Sequence, residues 1–229
     1  MSKFYSHVHM RGNRIYLRGF DLGLRVKEVV EYNPYMFLPS KNGTFRTLDG
    51  TKVEKRVFDS ISDTREFARR YEDVENVEIY GLTAFPYLFI YDNYPGEIDY
   101  DPALVNIGTI DIECAADEGF PDIQKADKEI TAITVRCRKR NYVFGCGDFV
   151  TDDPNTFYFK CGSEQELLSQ FLKCWQALDL DIVTGWNIEF FDIPYLVNRL
   201  LNLGFDPKKL SPWRMLDEKS VEFLSLIHI

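Results

Sequence analysis

The chain has 229 residues, of which 45% are hydrophobic and 28% charged, and its formal net charge is −9. This composition predicts a folded globular protein with one large or two small cores. The acidic balance argues against a domain that coats nucleic acid through surplus Lys and Arg. No apolar run is long enough to span a bilayer and the N-terminus lacks a signal-peptide pattern, so we expect a cytoplasmic protein with no membrane partner.

The first part of the chain, residues 1–102, is predicted to form a β-rich α+β domain. A short helix is expected from Ser62, followed by a second β-rich stretch at 85–91. Three strand-like runs separated by short turn sequences indicate an antiparallel meander, at residues 4–10, 14–20 and 24–31.

The second part, residues 103–223, alternates strands and helices and is predicted to be α/β, a mixed sheet with helices. Ser163 and Glu166 form a capping box at the start of a helix with a continuous apolar stripe. A second amphipathic helix is expected from Asp192. Four strands are expected, the last of them short and buried, at residues 105–113, 130–137, 142–145 and 181–185.

Asp111 and Glu113 close the first strand of this second part and are the residues most suggestive of chemistry. Residues i and i+2 of a strand project from the same face, so both carboxylates can converge on one point while Ile112 packs behind them. Asp192 would supply a third carboxylate. Carboxylate oxygens bind hard divalent cations, and two such ions about 3.5–4 Å apart can hydrolyse a phosphodiester. The pattern therefore predicts two-metal nucleic-acid hydrolysis.

Simpler explanations of these acids stay open at this point. Asp-x-Glu is frequent in a chain with 36 acidic residues, and residues 73–75 are a second copy within a polar segment. Asp192 alone is equally compatible with capping a helix. Context favours the metal interpretation, because acids that end an apolar strand carry a desolvation cost unless a cation compensates.

Two longer motifs resemble those of a known family. Residues 106–113, Asn-Ile-Gly-Thr-Ile-Asp-Ile-Glu, resemble the first exonuclease motif of family B DNA polymerases. Residues 184–195, Thr-Gly-Trp-Asn-Ile-Glu-Phe-Phe-Asp-Ile-Pro-Tyr, resemble the second, which in the family reads Asn, three residues, Phe, Asp. The chain is thereby similar to the N-terminal part of a family B polymerase of the T-even bacteriophage type. Flanking segments agree as well, at residues 31–34, 118–121 and 210–212.

The resemblance implies a ribonuclease H-like 3′–5′ proofreading exonuclease domain preceded by the N-terminal domain of such polymerases. Asp111, Glu113 and Asp192 would then hold two Mg²⁺ or Mn²⁺ ions. The intact gene product is expected to be a DNA-directed DNA polymerase that acts on primer–template DNA, in the host cytoplasm if the source is viral. Some members bind RNA through the N-terminal domain, so RNA and a sliding clamp are further candidate partners.

Three residues are expected to contact the unpaired 3′ end in such a site, namely Phe120, Asn187 and Phe191. Aromatic side chains stack on unpaired bases. The alternatives are a turn role for Asn187 and core positions for Phe191 and Trp186, because large aromatic residues are usually buried.

The sequence departs from the family pattern at its end. A third exonuclease motif, with a Tyr followed four residues later by a last metal-binding Asp, is expected beyond the second and is absent, as are the polymerase motifs. Residues 224–229, Leu-Ser-Leu-Ile-His-Ile, can be written in codons that match a transposon-end sequencing adapter. We therefore expect a fragment with an adapter-derived tail and with severely reduced or no hydrolysis of its own. A natural β-strand is the alternative for the tail.

Two rival functions follow from the same residues. A non-catalytic RNA- or single-strand-binding protein would bind without any dependence on metal or on Asp111 and Glu113. A stand-alone exonuclease would need the third motif.

Overall fold

The computed structural model describes residues 3–72, 74, 78–115 and 119–216, so residues 73–75 and 224–229 of the sequence analysis lie wholly or partly outside the described residues. The chain divides into two compact units, residues 1–105 and 106–229, each with its own hydrophobic core. The division falls three residues after the predicted boundary at 102.

The first unit opens with an antiparallel meander, as predicted. Strands β1 (Phe4–Arg11), β2 (Arg14–Asp21) and β3 (Leu24–Glu31) form a three-stranded sheet in that order. A second sheet with the order β4-β6-β5 was not predicted. Its strands are β4 (Tyr35–Pro39), β5 (Phe45–Arg46) and β6 (Lys52–Val57).

Two helices complete this unit. The predicted helix is α1 (Ile61–Tyr71), and the Ser60 side chain caps it by accepting from the backbone N–H of Asp63. The predicted β stretch at 85–91 is wrong, because Phe85–Asn93 is a helix, α2. Pro86 suits the first turn of a helix, and the core packs against one side of α2. The buried residues of that side are Phe85, Leu88 and Phe89.

The second unit is built on a five-stranded sheet with the order β10-β9-β8-β7-β11. The three central strands are antiparallel neighbours, and each edge strand runs parallel to the strand beside it. Their bounds are β7 (Ile107–Cys114), β8 (Ile130–Cys137), β9 (Arg140–Gly145), β10 (Thr156–Lys160) and β11 (Ile182–Thr184).

The predicted strands of this unit are confirmed with two corrections. β10 was not predicted. β11 forms at the predicted place but is exposed, with Ile182 at 45% and Val183 at 38% of full exposure. β11 has only three residues and lies at the edge of the sheet, so one of its sides has no neighbouring strand. Its apolar sequence therefore did not lead to burial.

Two amphipathic helices pack on this sheet, α3 (Glu164–Leu178) and α4 (Asp192–Asn202), followed by a 3-10 turn at Pro207–Leu210. The Ser163 hydroxyl caps α3 as predicted by accepting from Glu166 N–H. The Glu166 carboxylate reaches back one residue further than a capping box requires and accepts from Gly162 N–H at 2.8 Å. The core of the unit lies between this helical layer and one face of the sheet. No helix in the described part of the chain is long and apolar enough to cross a membrane.

Candidate active site

The two faces of β7 differ in chemistry. Ile110 and Ile112 are buried in the core, whereas Asp111 and Glu113 lie on the opposite, exposed face. This alternation follows from the two-residue period of a strand. The sequence prediction that both carboxylates share one face is thus met by the backbone of β7.

Asp192 reaches the same strand from a helix. It is the first residue of α4, and its side chain is only 4% exposed. One carboxylate oxygen, Oδ1, accepts a hydrogen bond from the backbone N–H of Ile112 at 3.1 Å. The bond ties the start of α4 to the strand segment that carries Asp111 and Glu113. Capping of α4 alone therefore does not account for Asp192, because its carboxylate is bonded to a different element.

The ionisation of Asp192 reflects this setting. Burial raises the pKa of its carboxyl, and the negative charge of Asp111 raises the pKa further. The N–H of Ile112 acts in the opposite direction, because it stabilises the ionised form. Asp111 thus lies close enough to disfavour ionisation of Asp192, which is an arrangement that a bound cation relieves.

The three predicted ligands, Asp111, Glu113 and Asp192, are not gathered into one tight cluster. Within the residues that the structure describes, there is no group of three or more His, Cys, Asp or Glu side chains arranged to hold a metal ion. The all-oxygen donor set of Asp111, Glu113 and Asp192 fits a hard divalent cation. The negative charge of Asp111 acts on Asp192, and Glu113 lies on the same exposed face of β7 as Asp111.

The loop before α4 is shaped by two residues. Gly185 lies against β7 so closely that a Cβ atom there would be 2.5 Å from the carbonyl oxygen of Ile110. Asn187 has a left-handed backbone with φ of 57°, a conformation that Asn tolerates better than most residues. Its carbonyl oxygen accepts from the N–H groups of Phe190 and Phe191. This geometry gives Asn187 a turn role, and the sequence analysis did not single out Gly185.

Two of the aromatic residues near the site contact each other, and a third is exposed to solvent. Phe120 is 83% exposed, Phe191 is half-buried, and their ring centroids are 5.2 Å apart. These two predicted contact residues therefore meet, although they are far apart in sequence. The expectation that Trp186 belongs to the core is wrong, because it is 90% exposed on the tight turn before α4.

A buried ion pair holds α4 in place. The Arg199 guanidinium donates to both carboxylate oxygens of Glu164, at 2.8 and 2.5 Å, and to the carbonyl of Ala126 at 3.1 Å. Glu164 also accepts from Ile130 N–H at 2.8 Å. This pair joins α3, α4 and β8. Sequence analysis missed it, since its members are 35 residues apart and neither belongs to a motif.

Comparison with known proteins assigns the family. Residues 74–222, more than half of the chain, match the sequence model of "DNA polymerase family B, exonuclease domain". The chain belongs to this family. The exonuclease domain of family B polymerases is ribonuclease H-like, and the mixed five-stranded sheet with packed helices is the corresponding part of this chain.

Individual relatives agree with the family match. The DNA-directed DNA polymerase of Escherichia phage RB69 is 31% identical over 97% of this chain and 28% of its own length. That of Enterobacteria phage T4 is 32% identical over 87% of this chain and 25% of its own length. The DNA polymerase catalytic subunit of Elephantid herpesvirus 1 is 33% identical over 39% of this chain and 9% of its own length. The chain thus spans about a quarter of the length of the phage relatives.

Proposed function

We propose that this sequence belongs to a DNA-directed DNA polymerase and that its second unit removes nucleotides from the 3′ end of the primer by metal-dependent hydrolysis. The family match and the two phage polymerases support the enzyme class. The contact of Asp192 with Ile112 beside Asp111 carries the proposal for the site.

The proposed metal ligands are Asp111, Glu113 and Asp192, with Mg²⁺ or Mn²⁺ as the ions. Two divalent ions, when bound, lower the pKa of a water molecule and stabilise the departing 3′ oxygen. The protein supplies three carboxylate side chains, of which Asp192 is held by the N–H of Ile112 and Asp111 stands on β7, which has a hydrogen-bonded strand on each side. No covalent intermediate on a protein side chain is required.

The roles of the other predicted residues follow from their positions. Exposed Phe120 and half-buried Phe191 form an aromatic pair on which an unpaired base can stack. Asn187 fixes the turn that leads from β11 to α4 and thereby the position of Asp192. The substrate in this proposal is the unpaired 3′ end of a primer on primer–template DNA. RNA at the first unit and a sliding clamp stay predictions of the family resemblance.

Metal binding tests the site without depending on turnover. Titration of Mn²⁺ followed by electron paramagnetic resonance should show saturable binding to the 229-residue chain. Asp111→Asn and Asp192→Asn should each lower the affinity at least about tenfold, the scale of losing one anionic ligand. Glu189→Gln is the matched control, because it removes an exposed acid from the turn that leads to Asp192.

A second measurement separates the rival functions. Binding of a fluorescent single-stranded oligonucleotide should become tighter when Mn²⁺ or Ca²⁺ is added, and this gain should vanish in Asp111→Asn. Metal-independent binding that survives the removal of Asp111 and Glu113 would instead support a non-catalytic nucleic-acid-binding protein.

A further inference from the structure

Four basic side chains lie together at one end of the sheet of the second unit. Arg136 is on β8, Arg138 and Lys139 form the turn between β8 and β9, and Arg140 begins β9. All four are exposed, and we call them the basic hairpin. The whole chain has 36 acidic and 27 basic residues, so four cations within five positions are a local reversal of its overall charge.

The fold does not use the charges of the basic hairpin. Elsewhere in the second unit an exposed cation finds an acid, as Lys160 does in Asp148. Among the described residues, no member of the basic hairpin forms an ion pair. Arg140 has one contact of its own, because its guanidinium lies over the ring of Phe157 at 6.0 Å from the centroid. The hairpin therefore keeps donors that can bind an anion from solution.

Two acids on segments next to the basic hairpin have other partners. The carboxylate of Asp153 accepts from the side-chain amide of Asn141 at 3.3 Å and from the hydroxyl of Thr156 at 2.6 Å. The carboxylate of Asp181 accepts from the backbone N–H of Asn106 at 2.9 Å. Hydrogen bonds to these other groups thus hold both carboxylates, and neither is bonded to a cation of the hairpin.

The turn of the hairpin has a strained backbone. Arg138 and Lys139 both have left-handed conformations, with φ of 49° and 65°. A two-residue turn between antiparallel strands requires this conformation, and Asn-Gly is the pair that adopts it most readily. Arg and Lys adopt it less readily because of their Cβ atoms. A strained backbone is typical of functional positions, so the turn indicates a use for its two cations.

A groove of about 410 Å³ joins the basic hairpin to the proposed metal site, since Asp111 and Arg136 are both among its lining residues. It lies on the open face of the sheet, the face that carries Asp111. Thr109 pairs with Arg136 and Arg136 pairs with Asn141 on neighbouring strands, so these polar side chains form a row next to Asp111. An anionic ligand bound at Asp111 through a metal ion can therefore extend to Arg136.

The distance from Asp111 to the turn suits a polymer. Asp111 pairs with Thr134, and Arg138 is four residues further along the chain, which is about 13 Å at the rise of an extended strand. A nucleic-acid strand with stacked bases advances about 3.4 Å per nucleotide, so the turn lies about four nucleotides away.

We propose that the basic hairpin binds the phosphate backbone of a single nucleic-acid strand whose 3′ end lies at Asp111 and Asp192. This inference deepens the proposed exonuclease function and rests on it. Arg136 contacts phosphates near the 3′ end, and the turn contacts phosphates about four nucleotides away. An acidic protein surface has the same charge, but the groove that leads to Asp111 favours the strand. The contact adds affinity without sequence preference, because phosphates are the same at every position.

Replacing the turn tests the basic hairpin without weakening the fold. Arg138→Asn combined with Lys139→Gly removes both cations and introduces the pair that this turn prefers, so stability should not fall. In fluorescence anisotropy with Ca²⁺, this double variant should bind a labelled oligo(dT) of about 12 nucleotides roughly tenfold more weakly than wild type at about 50 mM salt. Lys208→Gln combined with Lys209→Gln is the matched control, because it removes the same charge from the 3-10 turn that contacts α3.

Strand length and salt give two readouts that a general loss of folding would not reproduce. An oligo(dT) of about three nucleotides does not reach the turn, so in competition with the labelled strand it should bind the double variant and wild type equally. With the longer oligo(dT), the slope of log affinity against log salt should be smaller by about 1.4 in the double variant, which is 0.7 for each lost phosphate contact. Arg136→Gln should weaken the binding of both lengths, because Arg136 lies in the groove.

The outcomes distinguish this inference from the proposed function. Affinity of the double variant for the longer oligo(dT) within twofold of wild type, or no measurable binding by the wild-type chain, overturns the role of the basic hairpin. Equal losses at both strand lengths overturn it as well. A polyglutamate peptide that competes as strongly as oligo(dT) for the wild-type chain overturns it by favouring an acidic protein as the partner. Mn²⁺ binding that is retained in the double variant and lost in Asp192→Asn leaves the proposed metal site standing in each case.

Discussion

Two buried acids in the second unit have opposite surroundings. Glu164 accepts two hydrogen bonds from Arg199 and one from Ile130 N–H, so its charge is compensated within the protein. Asp192 is buried to a similar degree, but burial raises its pKa and the charged side chain that acts on it, Asp111, is another acid that raises the pKa further. A buried acid with a cation on the protein is compensated internally, so that removing either partner leaves an unpaired buried charge, whereas a buried acid that faces another acid is suited to receiving a cation from solution.

The largest expected effect comes from breaking the compensated pair. Glu164→Ala leaves the Arg199 guanidinium buried beside Ala126 with its main partner removed, so we expect a loss of about 3–5 kcal/mol in unfolding free energy. Urea denaturation followed by far-ultraviolet circular dichroism measures this loss. Glu189→Ala, an exposed acid, should change it by less than about 0.5 kcal/mol. Equal effects of the two variants would mean that the pair adds nothing.

A change that touches no acid tests how Asp192 is positioned. Gly185→Ala puts a Cβ atom 2.5 Å from the carbonyl oxygen of Ile110 and 2.4 Å from the side chain of Ile188. The turn has to move away from β7, which should cost about 1–3 kcal/mol and weaken Mn²⁺ binding with all carboxylates intact. Gly147→Ala, where a Cβ has no atom within 4 Å, is the matched control. Unchanged Mn²⁺ affinity in Gly185→Ala would show that the metal site does not depend on this contact.

Helix α4, which carries Asp192 of the proposed metal site and Arg199 of the buried ion pair, offers a third test. Asp192, Tyr195 and Arg199 lie on one face of α4, and the Tyr195 hydroxyl donates to the carbonyl of Lys128 and accepts from its N–H. Tyr195→Phe removes both bonds and should lower the unfolding free energy by about 1–2 kcal/mol. Thermal unfolding measures the change, and Tyr91→Phe on the exposed side of α2 is the control. A loss no greater than that of the control would contradict a structural role for this hydroxyl.

The smallest expected effect is an increase, rather than a decrease, in the free energy of unfolding. Asp192→Asn removes a charge that burial and Asp111 disfavour, and the amide oxygen can still accept from Ile112 N–H, so we expect a gain of up to about 1 kcal/mol in the metal-free chain at neutral pH.

The pH dependence of that gain follows from the raised pKa. The proton bound by wild-type Asp192 favours the folded state below the ordinary pKa of 3.8, and this contribution is lost as the pH rises through the folded-state pKa. The stability difference between Asp192→Asn and wild type should therefore be near zero at the acid end and grow toward neutral pH. Denaturant unfolding at several pH values measures it; a difference independent of pH would place the cause elsewhere.

Much of the fold could be predicted from local patterns. The strands around Asp111, the hairpin of β8 and β9, and the amphipathic α3 and α4 all follow from periodicity, turn residues and caps. The run that became α2 misled the prediction because it is apolar throughout, and a short continuous apolar run does not distinguish a strand from a helix. The Pro at its start was the signal that favoured a helix.

The site was predictable where it depends on single motifs and less so where it depends on long-range contacts. Asp111, Glu113 and Asp192 were identified by type and spacing. The hydrogen bond between Asp192 and Ile112 joins residues 80 positions apart, and the ion pair of Glu164 with Arg199 joins residues 35 positions apart. No local sequence pattern encodes either contact. Trp186 was misplaced because the size and apolarity of an indole favour a core position, whereas the turn before α4 leaves it 90% exposed.

The hydrogen bond between Asp192 and Ile112 also bears on self-association. Beyond Thr184, where β11 ends, the edge of β7 has backbone groups that a strand from another molecule could join. The carboxylate of Asp192 already occupies the N–H of Ile112 at this edge. A strand from another molecule could therefore pair with Ile112 only after displacing the carboxylate of Asp192.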